Sequence, residues 1–297
     1  MPRLPRFIRS PEIPVFQLTD RDREILRLVH CHRFLRSDHL ASLTAGSPQQ
    51  LLRRLQRLYH HGYLERPRCQ IDYYQSGSRR IAYGLGNKGA AWLKRELSLP
   101  FHKLDWKRKN HVGRLFLEHA LLISDIMVAI ELACRNRSEV RLLTADDLHL
   151  AKMREPFQWQ VGIGQRQKCG VIPDHVFGLE HHGQQCWYFL EADRATMPIT
   201  RSDMHQTSFY RKLLAYEATW TQSIHRRDFG IQRFRVLTVT TKPERVPGLI
   251  AACQELKQGR GLFLFTDTGT MQAQSDFFAL RWQTTRDQEL TELVKAI

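Results

Sequence analysis

The stretch 171–193 constrains this chain more than any other. VIPDHVFGL and CWYFLEAD are strand-like runs, and the polar connector EHHGQQ joins them. Two such runs with a short polar link predict an antiparallel hairpin. Residues two apart on a strand share a face, so Glu191 and Asp193 converge, and the hairpin partner brings Asp174 across from them. Three carboxylates gathered this way are costly unless they are protonated or matched by a cation.

The elements around the hairpin predict its setting. Asn110 is placed to cap an amphipathic helix over Val112–Cys134, whose apolar positions include Leu115, Phe116, Ala120, Ile123, Met127 and Ile130. A strand is expected at about 139–150, before the hairpin strands at 171–179 and 186–193. A helix over Ser202–Trp220, a strand at 234–240, a helix near 245–257 and a strand at 261–266 follow. The order α-β-β-β-α-β, with an αβ extension, predicts a mixed sheet flanked by helices in an α+β fold.

The first third has a different rhythm. Thr19 is a cap for a helix that buries Ile25, Leu26, Leu28 and Val29, with Asp20 and Asp22 in its first turn. A short helix starts at the cap candidate Ser37. A third runs from Ser47-Pro48 through QQLLRRLQRLYHHG, burying Leu51, Leu52, Leu55 and Leu58 and ending at Gly62. A hairpin with its turn at Ser76-Gly77-Ser78 follows, then a helix over Lys88–Leu97. Three helices, a hairpin and a further helix predict a winged helix, whose third helix enters the major groove and whose hairpin tip lies beside the backbone. The expected organisation is a basic arm over 1–17, a winged-helix domain over 18–98, a linker over 99–111 and a second domain over 112–297.

Charge supports that division. The chain carries +15, and residues 1–110 hold 22 Lys+Arg against 9 Asp+Glu, or +13. The remaining residues hold 23 against 21, or +2. An excess confined to one third predicts a docking surface for a polyanion, with double-stranded DNA first. Gln49, Gln50, Arg53, Arg54 and Arg57 lie on the non-apolar side of the third helix, and Arg79 and Arg80 flank the wing tip. Cys31, Cys69, Cys134, Cys169, Cys186 and Cys253 form no C-x-x-C, which argues against a zinc ribbon or a disulfide framework. No signal peptide and no transmembrane run are visible, so a bacterial cytoplasmic home without membrane partners is expected. P-loop, dinucleotide-binding and nucleophile-elbow motifs are missing.

Mg²⁺ or Mn²⁺ suits the three carboxylates, because Mg²⁺ takes oxygen ligands, keeps several waters and needs only two or three such groups. The spacing PD-(x16)-E-x-D within α-β-β-β-α-β resembles the PD-(D/E)XK nuclease superfamily, which has a restriction-endonuclease-like fold. Asp193 stands where the usual lysine would be, and Lys212 in SFYRKLLAY is the candidate for a lysine that has migrated to the following helix. Glu118 resembles an extra acidic residue of some members. More narrowly, the winged helix followed by PDHVFGL, FLEADRAT and KLLAYEA resembles the replication-relaxation family, associated with plasmids and integrative elements. The resemblance implies Asp174, Glu191 and Asp193 as metal ligands and Lys212 as the cation that stabilises charge or orients water. It implies DNA cleavage or nicking in mobilisation, replication or relaxation, with mobilisation or replication proteins and a second copy of the chain as further partners. The alternative is a non-catalytic accessory factor or transcriptional regulator, in which a degenerate nuclease-like domain serves dimerisation.

Overall fold

The computed structural model describes residues 6–12, 15–71, 80–97, 112–148, 157–163, 167–203, 206–285 and 290–293. Contacts divide the chain into two units, Met1–Val128 and Ala129–Ile297. Helices and a mixed sheet are both present, as the α+β expectation requires.

In the first unit, α1 (Asp20–His32) starts at the expected cap. The Asp22 carboxylate accepts from Thr19 N at 2.8 Å while the Thr19 hydroxyl accepts from Asp22 N, closing a capping box. α2 (Ser37–Leu43) begins on Ser37 itself, so the cap position falls to Arg36. α3 (Pro48–His60) has Pro48 in its first turn, where a missing N–H costs nothing. Its buried side is Leu51, Leu55, Leu58, Tyr59 and His60. Leu52, expected in that stripe, is 47% exposed, because one residue is about 100° of helix rotation and carries it off the apolar face.

Strands β1 (Phe34–Arg36), β2 (Leu64–Glu65) and β3 (Ala82–Leu85) form an antiparallel sheet in the order β1-β3-β2. Buried Gln70 clamps β3: its amide donates to Ala82 O at 3.0 Å and accepts from Ala82 N at 2.8 Å. A side chain at Gly86 would put its Cβ 2.4 Å from the Gly62 carbonyl oxygen, so the backbones meet there only because Gly86 has none. α4 (Asn87–Leu97) follows. The expected wing turn at 76–78, Arg79 and the cap Asn110 lie outside the described residues.

α5 (Arg114–Arg135) begins in this unit. Ser124 Oγ donates to Phe34 O at 2.6 Å. Asp125 binds the Arg36 guanidinium and, at 2.7 Å, His39 Nε2, so it is structural. Leu115 and Phe116, expected on the apolar face, are 67% and 40% exposed. The Arg33 guanidinium sits 4.5 Å from the Phe116 ring centre, which partly accounts for that ring's place at the surface.

The second unit is built on a seven-stranded sheet, counted among the described residues, in the order β12-β11-β10-β9-β8-β7-β4. β4 (Val140–Leu143), β7 (His175–His181) and β8 (Gln184–Asp193) are an antiparallel set. β9 (Phe234–Thr240) and β10 (Phe263–Asp267) run parallel to β8. The chain between β8 and β9 forms α6 (Phe209–Thr221) and α7 (Ile224–Arg227), and α8 (Val246–Gln254) leads into β10. After β10 come α9 (Thr268–Gln272) and the short antiparallel strands β11 (Trp282–Gln283) and β12 (Leu290–Thr291).

The expected hairpin is β7–β8. Its turn is His182-Gly183, both in the left-handed region at φ 49° and 77°, which suits the right-handed twist of a two-residue connection. The first strand is shorter than 171–179. It starts at His175, and Pro173, lacking an N–H, marks the break. Val171 instead ends a separate hairpin, β5 (Trp159–Ile163) with β6 (Gln167–Val171). That hairpin covers α6: Trp159 Nε1 donates to Thr219 Oγ1 at 2.8 Å, and Gln222 Nε2 donates to Gly162 O at 2.8 Å. Phe189, Tyr216, Leu213, Phe234, Val236, Leu249 and Phe263 form the core between sheet and helices.

Candidate active site

β7 and β8 deliver the carboxylates. His175 pairs with Leu190, and one step further Asp174 N donates to Leu190 O at 3.0 Å, so Asp174 falls opposite Glu191. The Asp174 carboxylate accepts from Ala192 N at 2.8 Å, which fixes it against β8. Glu191 is buried, as expected near the end of a central strand. Its two oxygens are held by α6: Lys212 Nζ donates to Oε2, and Tyr216 Oη donates to Oε1 at 2.6 Å. Lys212 and Tyr216 are four apart, hence on one helix face. Ser208 caps that helix, its hydroxyl accepting from Arg211 N.

Burial pushes the Glu191 carboxyl above its ordinary range; the Lys212 ammonium opposes this, and neighbouring Asp174 adds to it. Burial works to lower the Lys212 pKa, yet Glu191 and Asp174 outweigh it and hold the ammonium above the usual lysine value. Burial and then Glu191 raise the Tyr216 phenol well above normal, so it stays a donor. Glu191, Lys212 and Tyr216 line a pocket of about 270 Å³ with Met197, Ser208 and Arg211, and residues 169–172 of the β6 end close one side.

Asp193 has partners of its own. Its carboxylate is bound by the Arg245 guanidinium, accepts from Thr240 Oγ1 at 2.9 Å and accepts from Ala195 N at 3.2 Å. Arg245 also donates to Met197 O, so the Asp193–Arg245 pair ties the β8 exit to the segment before α8. Asp174 thus lies opposite Glu191, which meets Lys212 directly, while Asp193 acts on that ammonium only through its charge. Among the described residues, no group of three or more His, Cys, Asp or Glu is placed to hold a metal ion. Two carboxylates still suit a hydrated Mg²⁺. Lys212, half-buried beside them, keeps its ammonium against the opposing effect of burial. Glu118 lies in the first unit and pairs with Arg114 at 3.1 Å.

On α3, Gln49, Gln50, Arg53 and Arg57 are exposed, as is Arg80. Arg54 is engaged elsewhere. Its Nε donates to Asp22 Oδ1 at 2.9 Å, its Nη2 reaches Asp22 Oδ2 and, at 3.0 Å, Gln17 O, and its guanidinium covers the Phe16 ring at 4.3 Å. Asp22 is fully buried, and an unpaired buried carboxylate is expensive, so Arg54 is a structural counter-ion and leaves the exposed basic face.

Sequence reasoning missed Arg245, Thr240, Tyr216 and the β5–β6 hairpin. The hairpin had a signal, the alternation Trp159, Val161, Ile163. Arg245 had none, because its role depends on a neighbour 52 residues away.

The replication-relaxation family model matches residues 26–233. No curated protein and no solved structure matches the chain. No helix among the described residues is long and apolar enough to cross a membrane.

Proposed function

From the premise that this chain belongs to the replication-relaxation family, we propose that it is a DNA-binding, metal-dependent nuclease or nickase of a plasmid or integrative element. In this reading the first unit is a winged helix, and α3 presents Gln49, Gln50, Arg53 and Arg57 to the major groove while Arg80 reaches phosphates. The second unit is PD-(D/E)XK-like, since three antiparallel strands are followed by a helix and a parallel strand in the order of that fold.

One observation carries the catalytic part: Lys212 on α6 meets Glu191, and Asp174 lies opposite Glu191. Asp174 and Glu191 would hold Mg²⁺ or Mn²⁺, which supplies Lewis-acid polarisation of a phosphodiester. Tyr216 keeps Glu191 in one rotamer. Lys212 is a fixed positive charge at the pocket wall, placed to stabilise the charge that develops on a phosphate in the transition state. Asp193 anchors Arg245 and serves as scaffold. Nicking of supercoiled plasmid with Mn²⁺ tests the reading. Wild type should cut and Glu191→Gln should not, while both bind DNA. A wild type that binds DNA and cuts nothing would leave the accessory-factor reading in its place.

A further inference from the structure

Within the second unit, the far end of β8 and β9 carries another recess, of about 770 Å³. Cys186 and Phe234 lie in its wall, and Glu191 is five residues further along β8, about 16 Å away at ~3.3 Å per residue. Arg226, Arg233, Arg235, Lys257 and Arg260 line this recess, and among the described residues no Asp or Glu does. That concentration stands out because residues 111–297 as a whole carry only 23 Lys+Arg against 21 Asp+Glu. Some arginines elsewhere in the unit face carboxylates, as in Arg141–Glu180 and Arg245–Asp193. Here Arg260 Nε donates to Leu256 O at 2.8 Å and Arg235 donates to Gly261 O. Neutral carbonyls orient a guanidinium without cancelling its charge.

An aromatic surface completes the recess. Trp220, at the end of α6, lines it and is 39% exposed. Gly259 packs beside the indole, where an added Cβ would come 3.7 Å from the ring. Exposed indole costs hydration, and cations at this density repel one another; both are relieved by a ligand that carries phosphates and a flat base. A base in a duplex has both faces covered by its neighbours, so stacking on Trp220 selects an unpaired one.

We propose that this recess binds a segment of single-stranded nucleic acid, with phosphates on Arg226, Arg233 and Lys257 and a base stacked on Trp220. The inference stands on the recess alone and does not require the Glu191 site to be catalytic.

The test uses the full chain and fluorescence anisotropy with dye-labelled oligothymidylate, oligouridylate of equal length, and a duplex, from about 50 to about 300 mM salt. Arg226→Glu/Arg233→Glu should bind the single strand at least about tenfold more weakly, with a log–log salt slope shallower by about 1.4, since each phosphate contact contributes ~0.7 on single strands. Trp220→Ala should lose about tenfold and Trp220→Phe should keep most of the affinity, because a phenyl ring still stacks. Duplex affinity should hold in all three, and circular dichroism melts establish that each is folded. The two strands decide between a DNA and an RNA ligand, and the proposal holds with either. Folded variants that bind both single strands within twofold of wild type would overturn it, whatever the plasmid assay shows.

Discussion

Two buried ion pairs, one in each unit, make a useful comparison. Asp22 with Arg54 and Glu191 with Lys212 each put a carboxylate out of water, with side-chain exposures of 0% and 3%. Their surroundings differ. Around Asp22 the demand for donors is met by the forked guanidinium, Thr19 N and the Thr19 hydroxyl, all serving the start of α1. Around Glu191 a single ammonium feels three carboxylates, Glu191, Asp174 and Asp193, and Glu191 and Lys212 border a pocket. Balanced charge with saturated donors makes a brace. A shared ammonium beside a pocket is what the proposed reading uses to admit a metal cation and a phosphate. The cations differ as well: a planar fork binds both oxygens of a carboxylate, whereas a compact ammonium is a point charge that binds one.

The sharpest break between the pairs is expected in chemistry. Glu191→Gln should lower Mn²⁺-dependent nicking by about a thousandfold or more, the scale of removing an essential metal ligand or electrostatic group. Folded Arg54→Ala should keep the wild-type rate per bound molecule. Equal loss of nicking in both would erase the distinction.

Stability should separate them in the other direction. Arg54→Ala leaves Asp22 buried without its counter-ion, which costs about 3–5 kcal/mol. Urea unfolding of the full chain reads this, and a cost under about 1 kcal/mol would show that Asp22 does not depend on Arg54.

Lys212→Met should reveal a pH signature. Burial already raises the Glu191 carboxyl, and loss of the ammonium that opposes this raises it further. A carboxyl whose folded pKa is raised contributes most to stability below its unfolded value, and that contribution is lost as pH climbs through the folded value. The variant should therefore be penalised more near pH 8 than near pH 5, by about 1–3 kcal/mol, the cost of a buried acceptor left without its donor. Parallel melting curves across pH for variant and wild type would contradict this.

The smallest effect is expected for Tyr216→Phe. It removes one donor to Glu191 Oε1 while Lys212 keeps the other oxygen, so the loss should be about 1–1.5 kcal/mol. Crystals of the variant should show the Glu191 carboxylate less firmly held, with nicking reduced rather than abolished.

Much of this was legible in the chain because it rests on local rules. The Thr19 cap, the Pro48 start of α3 and the β7–β8 hairpin depend on residues within a few positions of one another. Hairpin pairing placed Asp174 across from Glu191, and strand parity set which side chains share that face. The same parity put Asp193 on their face, yet it could not tell what else would reach that carboxylate. Helix periodicity put Arg54 on the polar side of α3, and could not tell that α1 would present Asp22 to it.

The sequence by itself determined the main helices, the β7–β8 hairpin, the concentration of positive charge in the first third and the pairing of two carboxylates across that hairpin. Periodicity and charge count are properties of the chain alone, so they survive without coordinates. Tertiary structure decided which charges meet. Arg245 takes Asp193, Arg54 takes Asp22, Lys212 takes Glu191, and five cations gather around Trp220 from separate segments. Ion pairing depends on distances between residues far apart in sequence, and burial sets how strongly each pair acts. Neither quantity exists until the sheet and helices have packed.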